Sequence, residues 1–159
     1  DRVVGPWQQV MEEMTVAAER HRDAGQTVVE LHPGDVTTLT GEPRTAAEQQ
    51  RGVDLTERRL GLDVVVPGDE FDRLRRTLGD RRVESYEVFR ATEGGMVFLL
   101  VEITAGGCTV VLPAYYDQRE RAALEEIARE HGLQAHVRSL SSDTAVSFDF
   151  EQPSPFFPD

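Results

Sequence analysis

Two Gly-Gly pairs constrain this chain more than any other feature. Gly94-Gly95 and Gly106-Gly107 separate three stretches, about Glu84–Ala91, Met96–Thr104 and Cys108–Pro113. Glycine accepts positive φ without a steric penalty, so a pair of them between strand-forming runs reads as a tight hairpin turn. Three strands joined by two such turns make an antiparallel meander. The middle run, Met96-Val97-Phe98-Leu99-Leu100-Val101, is apolar at every position. Both of its faces are therefore expected to be buried, with the strand lying centrally.

The flanking elements follow from periodicity and punctuation. A helix is expected from about Pro6 to Ala24. Trp7, Val10, Met11, Met14, Ala17, Ala18 and His21 share one face, and Gly25 suits the left-handed residue that ends a helix. Thr27–Leu31 reads as a short strand, and Leu62–Val66 as a buried one stopped by Pro67-Gly68. Asp69 is placed to cap a helix that buries Phe71, Leu74 and Leu78 and ends at Gly79. Asp117 and Glu120 form an Asp-x-x-Glu capping box before a helix that turns Leu124, Ile127 and Ala128 inward. Ala135–Leu140 and Ala145–Phe150 form a last hairpin around Ser141-Ser142-Asp143.

The resulting order is α-β-β-α-β-β-β-α-β-β. It predicts an α+β fold in one domain over residues 1–159: a mostly antiparallel sheet, meander plus C-terminal hairpin, with helices packed on it. Residues 33–58, with Gly34, Gly41, Pro43 and Gly52, are expected to be a long irregular segment, with a helical turn or two at Thr45–Gln50. Residues 151–159 are expected to be an extended tail.

Charge speaks to habitat. The 29 acidic against 17 basic residues leave a net charge of −12. Every basic residue is Arg, Lys is absent, and Ile occurs only at positions 103 and 127. Carboxylates hold water and hydrated cations where salt competes for both, so this balance points to a halophilic proteome. GC-rich coding also favours Arg over Lys, but does not by itself explain the acidic excess. An acidic chain ordinarily disfavours nucleic acid and anionic membranes as partners. In molar salt the Debye length is about 3 Å, so a global charge repels little beyond contact. No apolar run approaches the roughly 20 residues of a membrane span, and no basic start with an apolar stretch marks a leader. The lone Cys108, in a strand pattern, is read as a buried inert thiol. These features predict a cytoplasmic protein.

The chain resembles small, uncharacterised proteins of haloarchaea. The resemblance rests on the N-terminal helix near Trp7 and on Arg59-Leu60-Gly61-Leu62 leading into Val64-Val65-Val66-Pro67-Gly68. It continues through Tyr86-Glu87-Val88-Phe89-Arg90 and Val97-Phe98-Leu99-Leu100-Val101-Glu102 to Phe156-Phe157-Pro158. It covers most of the chain and implies no established activity.

Three groups of residues are candidate sites. Arg73, Arg76, Arg81 and Arg82 belong to a cluster that also holds Arg75. Guanidinium pairs bidentately with phosphate and carboxylate, so these are candidates for an anion or RNA-backbone site. The alternative is that they pair with the interleaved Asp69, Glu70, Asp72, Asp80 and Glu84. Phe156 and Phe157, between prolines, either fill a groove on their own domain or anchor a partner. Tyr115 and Tyr116 lie before a helix N-terminus, where they line a pocket or roof the core. Asp63 and Glu102 interrupt apolar strands and are expected to pair with Arg59 or Arg90.

His21, His32, His131 and His136 show no metal-ligand spacing, and no phosphate loop, dinucleotide fingerprint or nucleophile elbow is present. No catalytic residue, metal or cofactor is assigned. The leading expectation is a non-enzymatic binding or regulatory protein, working through a protein partner, a homodimer or an RNA-containing assembly. The alternative is a small-molecule binder or small enzyme with its pocket near Tyr115 and Tyr116.

Overall fold

The computed structural model describes residues 3–40 and 60–158. The expected order of elements holds, and the irregular segment contributes a strand of its own. Helix α1 (Val4–Asp23) is followed by β1 (Thr27–Glu30), β2 (Asp35–Leu39), β3 (Gly61–Val65) and α2 (Gly68–Leu78). The meander β4 (Ser85–Glu93), β5 (Met96–Ala105) and β6 (Cys108–Asp117) comes next. A 3-10 turn (Gln118–Glu120) leads into α3 (Arg121–His131), then β7 (Leu133–Arg138), β8 (Val146–Phe150) and a last 3-10 turn (Ser154–Phe156). The strand β2 falls in the segment read as irregular. The turns expected at Thr45–Gln50 lie outside the described residues.

The strands divide between two mixed four-stranded sheets, β1-β6-β5-β4 and β2-β3-β7-β8. Each sheet contains one parallel pair, β1 with β6 and β3 with β7. The sequence suggests a single sheet because consecutive hairpins imply local pairing. Here β1 and β2 part into different sheets, and α2 and α3 carry the chain from one sheet to the other.

The core lies between the sheets. Val97, Leu99, Val101, Ile103, Val110, Leu112 and Tyr116 of the first sheet meet Leu62, Val64, Ala135, Val137, Phe148 and Phe150 of the second. Helix α2 adds Phe71, Leu74 and Leu78, and α3 adds Leu124 and Ala128. The other face of the first sheet is also apolar. Met96, Phe98, Leu100, Val28 and Val111 pack against Val10, Met14 and Ala18 of α1. This double burial is why β5 lies between β4 and β6 and shows no polar alternation over its first six residues.

Both Gly-Gly turns adopt positive φ at each glycine, 61° and 80° at Gly94-Gly95 and 53° and 79° at Gly106-Gly107. That conformation matches the twist of the flanking strands. A different constraint acts at Gly61, where φ is +113° and an added Cβ would lie 2.1 Å from the Gln134 carbonyl oxygen. Only glycine lets β3 approach β7 there. Two caps differ from expectation. Pro67, not Asp69, occupies the N-cap of α2, leaving Asp69 and Glu70 in the first turn, where the helix dipole favours them. Asp117 does cap, but it caps the 3-10 turn, accepting from the Arg119 amide at 2.9 Å.

The two strand carboxylates find partners other than those expected. Asp63, on the outer face of the second sheet, receives a bidentate pair from Arg138: Nε at 2.9 Å and Nη2 at 3.0 Å. Glu102 is 5% exposed and meets two α1 side chains, Arg20 Nη2 at 2.8 Å and His21 Nε2 at 2.5 Å. Arg90 serves the C-terminal tail instead, and Arg59 lies outside the described residues. A buried carboxylate left without such partners would cost several kcal/mol. Glu102 thus fixes where the last turn of α1 sits on β5.

Candidate functional site

The C-terminal tail determines what the Arg and Phe candidates can do. Phe156 and Phe157 are buried, at 1% and 8% exposure, in the core between the sheets. The Phe156 ring lies 4.8 Å from Phe150 and 6.5 Å from Tyr86, and Phe157 lies 6.0 Å from Tyr116. Side chains of the first sheet and α3 strap the tail's backbone. Arg90 Nη1 donates to the Pro155 carbonyl at 2.8 Å and Tyr116 Oη to that of Phe156 at 2.7 Å. Tyr86 Oη donates to the Gln152 carbonyl at 3.1 Å, and Arg121 Nη2 reaches Pro158. The two rings are therefore consumed by the chain's own core. This corrects the partner-anchor expectation for Phe156 and Phe157; two adjacent phenylalanines between prolines are costly in water, and here they are withdrawn from it.

At the start of the tail, the edge strands β4 and β8 lie beside the end of α2 and the α2–β4 connection. A groove of about 1010 Å³ opens there, lined by the α2–β4 connection (Gly79–Glu84), by Ser85 and Tyr86, by Val146–Asp149 and by the start of the tail. Three arginines face it: Arg75, Arg81 and Arg82. Arg81 is held in place, its Nε donating to the Gly106 carbonyl at 3.1 Å and its Nη1 to that of Thr77 at 2.6 Å. Arg75 lies over the Phe71 ring at 5.8 Å. Among the described residues neither Arg75 nor Arg82 makes an ion pair or hydrogen bond. Four carboxylates share the groove, but Glu84 already accepts the Gly106 amide at 2.6 Å and Asp149 the Gln134 amide. Asp80 and Glu151 are the other two.

The cluster thus separates by role. Arg73 points to the Val28 carbonyl at 3.1 Å and ties α2 to β1. Arg76 lies with Arg75 and Asp72 around a shallow depression away from Arg81 and Arg82. Among the described residues no arginine of the cluster forms an ion pair with the interleaved acids; Glu70 instead accepts from the His32 backbone amide at 2.7 Å and meets its ring at 2.8 Å. Helical spacing puts Arg73 and Arg76 on one flank, so sequence pairs them. The turn at Gly79 is what brings Arg75, Arg81 and Arg82 to a common groove, and of these Arg75 was not singled out from sequence.

Tyr115 and Tyr116 point to opposite faces of β6. Tyr115 packs on the outer face against Trp7, 5.2 Å between centroids, and Phe98 at 6.3 Å. Burial raises the pKa of its phenol, Asp35 adds to the effect, and a hydrogen bond with the Val36 backbone opposes it. Tyr116 is buried in the core, and burial pushes its phenol up to about 12, Arg121 and Arg90 opposing. The cavity beside them holds about 170 Å³. Ligand sites typically span about 300–1000 Å³, and the Tyr116 hydroxyl is already committed to the tail.

On the outer face of the second sheet, His136 is buried between Ser147 Oγ, 2.7 Å from Nδ1, and the Leu60 carbonyl, 2.9 Å from Nε2. A carbonyl only accepts, so in the neutral ring Nε2 carries the proton and Nδ1 takes the serine hydroxyl. Burial raises the Cys108 thiol above its ordinary value, Arg81 opposing, which leaves it a poor nucleophile. Among the described residues no three His, Cys, Asp or Glu side chains come together as metal ligands would, and no helix is long and apolar enough to cross a membrane.

The chain belongs to a family of unknown function, DUF7529, whose model matches residues 1–158. No curated protein and no solved structure matches it.

Proposed function

Taking that membership as the premise, we propose that this chain is a non-enzymatic binding protein of a haloarchaeal, salt-rich cytoplasm, and that it holds an acidic segment of a protein partner in the groove between β4 and β8. The observation that carries the reading is the pair Arg75 and Arg82, facing a groove of about 1010 Å³ without an ion pair or hydrogen bond among the described residues. A chain with net charge −12 has acids to spare for every arginine. Guanidinium groups that share a groove with four of those acids yet pair with none of them among the described residues are therefore placed for a carboxylate from elsewhere. In molar salt, ion pairs work only at contact, about 3 Å, so such a groove recognises by fit and not by long-range steering. Among the described residues only Tyr86 and Phe148 bring aromatic rings to its lining, and no run of stacking aromatics does, which favours protein over RNA. The acidic balance, the absence of Lys and the lone buried Cys108 support the habitat.

The test is a pull-down of the tagged chain from a haloarchaeal lysate in molar KCl, with and without nuclease, beside the Arg75→Glu/Arg82→Glu double variant. A protein that survives nuclease and is lost with the double variant supports the proposal. Capture abolished by nuclease alone would reassign the groove to RNA, and capture indifferent to the double variant would refute it. Far-ultraviolet circular dichroism that weakens from molar to millimolar KCl is the result expected of a halophilic chain; an unchanged spectrum would count against that habitat.

A further inference from the structure

Among the described residues, strand β4 is the long free edge. It has nine residues and pairs only with β5, whereas the other sheet edges, β1, β2 and β8, have four, five and five. Among the described residues its backbone makes no hydrogen bond beyond those to β5. Seven of its nine residues are exposed. An edge of that length is normally blunted by charged side chains, by a proline or by a bulge; β4 carries Glu87, Arg90 and Glu93, and its register with β5 is unbroken. Ser85–Glu93 has neither Pro nor Lys, and positive φ begins only at Gly94.

The face of β4 that lies beside α1 is also incomplete. Helix α1 covers β1, β6 and β5 and stops short of β4. A trough of about 590 Å³ remains between them, with Phe89, Leu100, Val16 and Ala17 among its lining. Phe89 and Val16 are 45% and 65% exposed. Phe89 is the midpoint of β4.

We infer that two copies of this chain pair antiparallel through β4 about a two-fold axis at Phe89, joining their first sheets into one. The occupant is argued from the strand's self-complementarity. With Phe89 facing Phe89 of the second copy, all nine residues pair. Glu87 then faces Ala91, Glu93 faces Ser85, Arg90 faces Val88 and Tyr86 faces Thr92. No like charges stand directly opposite. Centring on Glu87 or on Arg90 would set that residue against its own copy, and the Arg90 register would also oppose Glu87 to Glu93. Like charges directly opposite destabilise a pair of strands, which excludes the Glu87 and Arg90 registers; centring on Val88 or Ala91 avoids such pairs but joins only seven or five of the nine residues, so charge and length together favour Phe89. That register also brings the second Phe89 over the apolar trough. The seam shares Ser85 and Tyr86 with the arginine groove, but Arg75 and Arg82 line that groove from α2 and its following turn, so changing them separates the two proposals.

The test is light scattering behind size exclusion in molar KCl. The wild type is expected at twice 17.8 kDa. Phe89→Glu should return the mass to 17.8 kDa with an unchanged circular dichroism spectrum, because the side chain is half exposed. Arg75→Glu/Arg82→Glu should leave the dimer intact. Register is read by oxidative cross-linking, with Cys108 buried and out of reach. Phe89→Cys should cross-link to its own copy, whereas Glu93→Cys, which faces Ser85, should not. A wild type that stays at 17.8 kDa across concentrations, a dimer indifferent to Phe89→Glu, or Glu93→Cys cross-linking as readily as Phe89→Cys would each overturn the inference.

Discussion

Replacing Phe156 by Ala tests whether the tail is a structural plug. The ring is 1% exposed, lies 4.8 Å from Phe150 and 6.5 Å from Tyr86, and follows a carbonyl already strapped by Arg90. Removing a buried Phe costs about 3–5 kcal/mol, the transfer term plus the cavity left behind. The cavity should persist, because Phe150 and Tyr86 belong to opposite sheets and cannot both move inward. Against a total stability of about 5–15 kcal/mol, that is a loss of about a fifth or more. For a chain this size each kcal/mol moves Tm by about 2–4 °C, so the expected drop is about 6–20 °C. Urea melts in constant molar KCl are the assay, since urea leaves the salt unchanged. Phe89→Ala at low protein concentration is the control, a half-exposed ring whose loss should stay within about 0.5 kcal/mol. If Phe156→Ala unfolds within about 1 kcal/mol of wild type, the tail is not the plug described here.

Two further outcomes follow from the geometry. Gly61→Ala should destabilise by at least about 3 kcal/mol in the same melts, because it combines positive φ with a Cβ 2.1 Å from the Gln134 carbonyl; Gly107→Ala, also at positive φ but with open space around it, should cost only about 1–2 kcal/mol. Tyr116 should be the last phenol to ionise in an alkaline ultraviolet titration. Its folded pKa of about 12 lies above the ordinary 10, so between those values the folded chain keeps a proton that the unfolded chain releases. Tyr116's contribution to stability is therefore constant below pH 10 and is lost through that window, about 3 kcal/mol in all. Tyr116→Phe should give up about 1 kcal/mol at neutral pH with the bond to Phe156 and lose most of the alkaline decline; an unchanged decline would sink the assignment.

Local signals in this sequence were legible and long-range ones were not. The Gly-Gly turns, the all-apolar β5 and the amphipathic face of α1 are decided within a few residues, and each appears where its pattern places it. The division into two sheets is decided by which strand β1 and β3 pair with in parallel, β6 and β7, each far along the chain. Periodicity carries no information on that choice. Strand β2 was missed because one of its two buried positions is Thr38, so Asp-Val-Thr-Thr-Leu shows no apolar alternation, and it sits among glycines and prolines. The partners of Asp63 and Glu102 were misassigned for the same reason. Arg138 and Arg20 lie 75 and 82 residues away, and only the packing of β7 and α1 brings them in. In the arginine cluster, helical spacing grouped Arg73 with Arg76, while the turn after α2 groups Arg75 with Arg81 and Arg82.

The surfaces left open follow from how the two sheets share their cover. The inner face of the first sheet is filled by the second sheet and the helices α2 and α3, and its outer face by α1. A single helix spans about 10 Å, roughly two strand spacings of 4.8 Å. It therefore cannot cover four strands, and β4 is the one left out. The tail compensates on the inner side only, where Tyr86, Arg90 and Tyr116 hold it against β4 and β6. The outer side and the hydrogen-bonding edge of β4 keep Phe89 in solvent. A chain that buries two adjacent phenylalanines at its C-terminus under four straps, yet leaves a third at the centre of a nine-residue free edge, is using its apolar surface selectively. Were Phe89 surplus, Phe89→Ser would raise solubility at no cost. If instead Phe89 is the seam between two copies, the same change costs the dimer while leaving the monomer's melt unmoved, and that pair of readings separates a tolerated exposure from a built interface.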